Sequence, residues 1–599
     1  MKNFLKTTLA VMVGLLIFSI ISVVMTLGLV GSISEAGKSS EPITSDSVLK
    51  IDLSRIVIAE QSAEIDPLSM IQGGNTDIST IGLWDAVSAI NKAATDPCIK
   101  MIYLKIDGNQ TSLSALEELR TSIANFRSVS GKPVITYTEA PSTGGYYLGS
   151  VADKVYMTSC HGATTMLTGI SSQMVFLKDI LDRLGVNVQL IRHGKYKSAG
   201  EMFVRSAPSA ENMQQNQEMI DSMWGIVAQS IAGSREISVE SLNAAIDGLK
   251  LNLPEDFLSE GLVDDLLSRE ELQDKIATLA VKEDFKDVTM VNFADYVKTA
   301  STQSYKIHDK IAVIYADGEI VDGAAGKEVS GDRFASIISK VRADSSVKAV
   351  VLRVNSPGGS VLASEKIKGE LDLLKAVKPL VASYGDYAAS GGYWISNNCD
   401  KIFSDATTLT GSIGVFSMLP DFKGSLKNIA HINIVSVNSN KHGDMYSLMR
   451  PLDSAESAYM LRSVEDIYDK FTSTVSCGRG LEVKYVDSIA QGRVWTGADA
   501  CGNGLVDEIG TLEDAILYAA VCGGNSDLSS WRVEAYPKPQ SAIEELMAML
   551  SDSSSKEEQI FEGTALEGIA RTLRSWAKNA TEGRADVMFA RLPYEIQIR

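Results

Sequence analysis

Ala389-Ser-Gly-Gly-Tyr-Trp-Ile-Ser396 is a variation on an earlier stretch of the same chain, Ser142-Thr-Gly-Gly-Tyr-Tyr-Leu-Gly149. Each follows a Lys-Pro-led apolar run, Lys378-Pro-Leu-Val-Ala-Ser-Tyr384 and Lys132-Pro-Val-Ile-Thr-Tyr137. Further upstream, Val347-Lys-Ala-Val-Val-Leu-Arg-Val-Asn355 resembles Ile99-Lys-Met-Ile-Tyr-Leu-Lys-Ile-Asp107. Downstream, Asp400-Lys-Ile-Phe403 answers Asp153-Lys-Val-Tyr156, and Gly504-Leu-Val-Asp507 answers Gly261-Leu-Val-Asp264. Five motifs in one order at a near-constant offset imply two homologous units.

Within each unit short β-branched runs alternate with longer helical patterns. Runs such as Ile311–Ala316, Ala349–Val354, Leu380–Tyr384 and Lys401–Phe403 predict strands. Asp332–Ala343, Ser364–Ala376 and the matching Ser209–Ile231 and Ser454–Val475 predict helices. That rhythm indicates an α/β fold with a largely parallel sheet in each unit. The first unit is expected at 47–281 and the second at 310–536, with 282–309 connecting them. Gln61 to Ser79 reads as a loop, and 537–599 as a helical tail outside the repeat.

The 599 residues suffice for more than one core, and 45% are apolar, which argues against extended disorder. A net charge of −19 and a pI near 4.9 argue against a nucleic-acid-binding surface, which needs a basic stripe. They also disfavour peripheral binding to anionic lipid. Residues 7–31 carry no charge, long enough for an apolar helix to cross a bilayer. Lys2 and Lys6 precede this run and Glu35 is the first charge after it, so a stub at 1–6 is expected inside and the rest outside. A cleaved signal peptide is the alternative. The run exceeds the usual h-region, and Gly31-Ser-Ile33 is a poor cleavage match. Six cysteines show no CxxC pair and no zinc spacing, so a disulfide is permitted but not required.

Ser390 follows one predicted strand and opens a helical segment, a place where backbone N–H groups favour a hydroxyl nucleophile. Gly391 and Gly392 keep its approach open. Asn355-Ser-Pro-Gly-Gly-Ser360 leaves another strand, and its glycines can turn N–H groups outward as an oxyanion hole requires. Alone, the Ser-Gly-Gly element could be a helix packed closely on a sheet. None of the five histidines sits in a triad motif, and no GxSxG elbow occurs. A lysine neutralised by burial is the other available base. Lys197, in His193-Gly-Lys-Tyr-Lys-Ser-Ala199, is the candidate and Lys195 its decoy.

The repeat sharpens this choice. Ser390 maps onto Thr143 in the first unit, and Lys197 maps approximately onto His442 in the second. The Ser-Pro-Gly-Gly loop has no counterpart at Gly108-Asn-Gln-Thr-Ser112. A duplication that divided one dyad between two units leaves this pattern, with one active site per chain.

These elements, with Leu409-Thr-Gly-Ser-Ile-Gly414 and Gly492-Arg-Val-Trp-Thr-Gly497, resemble the long, two-domain form of bacterial signal peptide peptidase A, or protease IV. The resemblance implies two tandem Clp-protease/crotonase-like repeats after an N-terminal transmembrane helix. It implies a serine endopeptidase of the bacterial cytoplasmic (inner) membrane, single-pass and facing the periplasm. It further implies a homotetramer that degrades cleaved signal peptides and other apolar peptide segments. Carried over, Ser390 is the nucleophile and Lys197 the general base. Gly358, Gly359 and Gly391 supply oxyanion amides, and Ser198 helps orient the lysine. Glu201-Met-Phe203 departs from the family, where a proline-containing stretch is common. No metal or nucleotide cofactor is expected, because neither HExxH nor GxxxxGK[ST] occurs. An acyl-CoA enzyme of the crotonase type and a non-catalytic membrane scaffold are the competing readings.

Overall fold

The computed structural model describes residues 43, 45–62, 78–162, 165–300, 307–324 and 328–538, and the backbone of strand Met588–Arg591. The expected stub and anchor at 1–31, and most of the 61–79 loop and the 537–599 tail, lie outside the described residues. Among the described residues no helix is long and apolar enough to cross a membrane.

Two sheets carry the fold, and they are built in the same order. The first runs Asp265–Leu267, Lys154–Thr158, Val134–Thr138, Ile99–Lys105, Ser47–Asp52, Met290–Asn292, all parallel. The second runs Glu508–Ile509, Lys401–Ser404, Leu380–Ala389, Val347–Ser356, Lys310–Asp317, Arg532–Tyr536, again parallel. Identical order in both halves is the tertiary form of the repeat. Helices cover both faces, so the central strands are near-continuous apolar runs; Ile311 to Ala316 are all buried.

Local chemistry sets the helix limits. Ser209 caps Ala210–Arg235 by accepting the Asn212 N–H, and Asp453 caps Ser454–Arg479 through a capping box with Glu456. Gly480 ends the latter in the left-handed region. Part of 282–309, which composition suggests as a connector, docks on the first unit. Met290–Asn292 pairs with Val48–Lys50, and Phe293, Tyr296 and Val297 of the helix Phe293–Ala300 are buried. Three apolar residues at helical spacing outweigh a polar average there.

The two units are joined by backbone and by charge. Asn187–His193 of the first unit runs antiparallel to Val415–Asp421 of the second, with Val415 opposite His193 and Asp421 opposite Asn187. On the other side, Arg353 of the second sheet is enclosed by first-unit carboxylates. It donates to both Glu60 oxygens at 2.7 and 3.2 Å and lies 2.9 Å from Glu118. Glu118 also accepts the Leu512 N–H at 2.8 Å, and Glu117 accepts the Ala406 and Thr407 N–H groups. Burial lifts the Glu118 carboxyl against the pull of Arg353.

One strand comes from the stretch expected to be a helical tail. Met588–Arg591 lies antiparallel between Gly358–Ser360 and Val415–Asp421, with Ala590 opposite Gly359 and Phe589 opposite Phe416. Two open strand edges claim it, which residue propensity does not reveal.

Candidate active site

Ser390 ends the strand Leu380–Ala389 and precedes the helix Gly391–Ser396. Its N–H donates to Gly411 O at 2.8 Å, which ties it to the neighbouring strand Leu409–Gly411. The backbone there has φ 56 and ψ −111, a region that an L-residue holds only when its surroundings impose it. That turn presents the hydroxyl, and the residue has no exposed surface.

Lys197 comes from the first unit. The inter-unit strand ends at His193, and the chain then turns through Gly194 at φ +103 to deliver the lysine. Arg192 holds the Lys197 carbonyl at 2.7 Å and is anchored by Glu201 at 3.1 Å. Glu201 also accepts from the Ser209 N–H and Oγ and from Asn212. Burial would raise the Glu201 carboxyl, but the Ser209 bonds and the Arg192 charge outweigh it and hold it below the usual range. Glu201 thus places a carboxylate behind the lysine's own backbone.

Lys197 Nζ reaches three oxygens: Ser390 Oγ at 2.8 Å, Ser412 O at 2.9 Å and Ser412 Oγ at 2.9 Å. No surface of Lys197 is exposed, and burial drives its ammonium well below the ordinary lysine range. The amine's second hydroxyl partner is therefore Ser412, not the adjacent Ser198. Ser198 Oγ is buried and bonds no group among the described residues. Ser412, at φ 49, sits inside the quoted Leu409–Gly414 motif. Its sequence position carries no signal of a lysine beside it.

Gly358 and Gly359 have φ of 98 and 156. The Gly358 N–H donates to Ser356 Oγ at 3.2 Å. A Cβ on Gly391 would lie 3.1 Å from Gly359 N and 3.2 Å from Gly358 Cα. The glycine loop therefore packs directly against the backbone that follows Ser390.

The repeat counterparts are occupied differently. Thr143 Oγ1 donates to Gly169 O at 3.1 Å and accepts the Thr168 N–H at 3.3 Å, a structural pairing. His442 Nδ1 lies 2.8 Å from Glu456, a carboxylate already bonded by Arg450. Lys195 stacks over the Tyr196 ring at 4.9 Å instead of entering the site. All six cysteines are free thiols.

Comparison with known proteins identifies the family. The description Peptidase family S49 matches residues 127–282 and again 372–523. The chain is 37% identical to Protease 4 of Haemophilus influenzae over 82% of its own length and 81% of that protein's. It is 33% identical to Protease 4 of Salmonella typhi, covering 86% and 84%. To the chloroplastic Serine protease SPPA of Arabidopsis thaliana the identity is 31%, covering 72% and 64%. With the family domain present twice and both Protease 4 relatives matched over most of their length, the chain belongs to peptidase family S49 and is a serine peptidase.

Proposed function

We propose that the chain is a Ser/Lys-dyad endopeptidase, with Ser390 as nucleophile and Lys197 as general base, that degrades cleaved signal peptides and other apolar peptide segments. The observation that carries this reading is the 2.8 Å approach of Lys197 Nζ to Ser390 Oγ where neither residue has exposed surface. A neutral amine has two N–H groups and one lone pair, and three oxygens surround it. The two N–H groups point to Ser412 O and Oγ, which turns the lone pair toward Ser390. As Ser390 Oγ attacks the scissile carbonyl carbon, its proton passes to Lys197 Nζ. The ammonium then gives that proton to the leaving amine, and an acyl-enzyme remains. Water, deprotonated in turn by Lys197, releases the acyl group.

The oxyanion falls to the amides of Gly359 and Gly391, since Gly358 N–H is held by Ser356. Extended peptide enters as a strand between Gly358–Ser360 and Val415–Asp421, the manner in which Met588–Arg591 lies there. A peptide that displaces Met588–Arg591 gains main-chain affinity from both edges with little demand on sequence, which suits apolar substrates of varied composition.

The wider reading follows the resemblance. Residues 7–31 anchor the chain in the bilayer of the bacterial inner membrane, and 47–281 and 310–536 form two Clp-protease/crotonase-like domains on the periplasmic side. Copies assemble as a homotetramer.

Labelling the full chain with a fluorophosphonate probe and mapping the adduct tests the dyad. The adduct is expected on Ser390 and is lost in Lys197→Ala. An adduct on another serine, or turnover by Ser390→Ala, overturns the assignment. Incubation with a synthetic signal peptide in detergent tests the substrate. Cleavage is expected inside its apolar stretch, and an intact peptide beside rapid cleavage of polar peptides removes that part.

A further inference from the structure

The two units differ at one matched place in their sheets. In both, the first strand meets its neighbour with the same irregularity, after Ser47 and after Lys310, so the two registers correspond. Lys50 beside Tyr103 answers Val313 beside Val351, and Asp52 beside Lys105 answers Tyr315 beside Arg353. The covering helices correspond as well. Arg269–Leu279 opens on a capping box of Ser268 and Glu271, and Leu512–Cys522 on one of Thr511 and Asp514. Arg269 therefore answers Leu512, and Gln273 answers Ile516.

In the second unit this place is solid core. Val313, Val351, Leu512 and Ile516 are at most 1% exposed, and Trp84 of the first unit packs on their cluster. Arg353 there is paired with Glu60 and Glu118. In the first unit the polar replacements line a cavity of about 760 Å³. Close-packed interiors do not keep voids of that size, whereas small-molecule sites run from about 300 to 1,000 Å³.

The charge of the cavity is not balanced from within. Lys50 is paired with Asp52 at 2.8 Å, and Asp295, the carboxylate of the lining, with Lys298 at 3.6 Å. Lys105 and Arg269 form no ion pair among the described residues. Tyr103 is 7% exposed, and its hydroxyl bonds no group among the described residues. Burial raises the Tyr103 phenol above its usual range, so it stays protonated and able to donate. Phe285, Val288 and Met290 add an apolar wall. A phosphate monoester carries close to two negative charges at pH 7, and guanidinium and ammonium groups bind its oxygens through charge-assisted hydrogen bonds.

We propose that this cavity binds a small organic phosphate, with its head between Lys105 and Arg269 and its body against Phe285, Val288 and Met290. The Tyr103 hydroxyl donates to the head. None of these residues belongs to the Ser390–Lys197 site, so the cavity is separate from the peptidase centre. Of two equivalent places made by duplication, one stayed core and the other opened to a ligand.

Titration calorimetry on the full chain in mild detergent at pH 7.5 tests this, with 1-naphthyl phosphate and inorganic phosphate as separate probes. One naphthyl phosphate is expected to bind per chain. Inorganic phosphate, which leaves the apolar wall unused, is expected to bind at least about tenfold more weakly. Lys105→Gln and Arg269→Leu should each weaken naphthyl phosphate by at least about tenfold. Arg269→Leu with Gln273→Ile, which installs the second unit's residues, should remove binding. Arg269 is exposed and Lys105 half-buried, so folding and peptidase activity are expected to be kept in these variants. Absence of binding to wild type, or equal binding to Lys105→Gln and Arg269→Leu, overturns the site. Inorganic phosphate binding as tightly as the ester overturns the part given to the apolar wall.

Discussion

A Cβ placed on Gly492 would lie 2.5 Å from the Cβ of Lys197 and 2.6 Å from its Cα. Gly492 has φ +78, and its N–H donates to Ile413 O at 2.7 Å. On one side Tyr196 N–H bonds Gln491 O, and on the other Ser412 N–H bonds Arg493 O. The Gly492–Gly497 motif is thus a backbone wedge between the lysine loop and Ser412. It holds both residues while contributing no side chain at the point of contact.

Gly492→Ala is expected to displace Lys197 from Ser390, because the obstruction is backbone and Cβ rather than a flexible side-chain end. Peptidase activity should fall by about 10²-fold or more, as for small misplacements of a reacting group. Stability should fall by about 1–3 kcal/mol. Full activity in a folded Gly492→Ala would refute the wedge.

Ser390→Ala and Lys197→Ala should each cost about 10⁴-fold or more in kcat/KM, the scale seen when one member of a catalytic unit is removed. The active form of Lys197 is the neutral amine, so the rate should fall as pH drops through its depressed pKa and hold above it. A rate flat from about pH 5 to about pH 9 would exclude lysine as the base.

Burial of Lys197 also has a stability consequence with a definite sign. Between its depressed pKa and pH 10.5 the folded chain keeps this amine neutral while the unfolded chain protonates it, so unfolding takes up a proton there. Stability from this group therefore declines as pH falls from 10.5 toward the folded pKa. Lys197→Met removes that penalty. It should be inactive yet melt higher than wild type at pH 7, and a lower melting temperature would contradict the neutral-lysine reading.

Ser412→Ala removes one of the two acceptors that orient Nζ but leaves the Ser412 carbonyl. A loss of about 10–100-fold in kcat is expected, from a hydrogen bond of about 1.5–3 kcal/mol to a group that becomes charged. The acid limb of the pH profile should move to lower pH, because the lost acceptor favours the ammonium. Ser198→Ala, whose hydroxyl bonds no group among the described residues, should leave kcat and its pH dependence in place.

Arg353→Ala leaves the Glu60 and Glu118 carboxylates buried between the units without their cation. Thermal denaturation should register a loss of about 3–5 kcal/mol. Adding Glu60→Gln and Glu118→Gln should restore part of it. Equal melting temperatures for Arg353→Ala and wild type would show that these ion pairs do not hold the units together.

Much of the site is legible in local sequence because its parts are backbone features. Ser390 lies at a strand end before two glycines; Gly358 and Gly359 both have positive φ, and a Cβ on Gly359 would strike Ile320 O at 2.0 Å. Lys197 is legible by subtraction, from what each repeat retains and lacks. Ser412 and Gly492 are not, since a serine and a glycine in strand-ending loops carry no mark of a lysine beside them. The strand Met588–Arg591 is equally hidden, its residues being recruited by two edges far away in the chain.

By itself the sequence determined the two-unit plan, the strand and helix rhythm of each unit and the residue types available for chemistry, because these depend on periodicity and on motifs that recur. Only the tertiary structure decided which lysine meets which serine. That meeting depends on the register of Asn187–His193 against Val415–Asp421. A slip of one residue in a strand pair would turn every side chain to the opposite face.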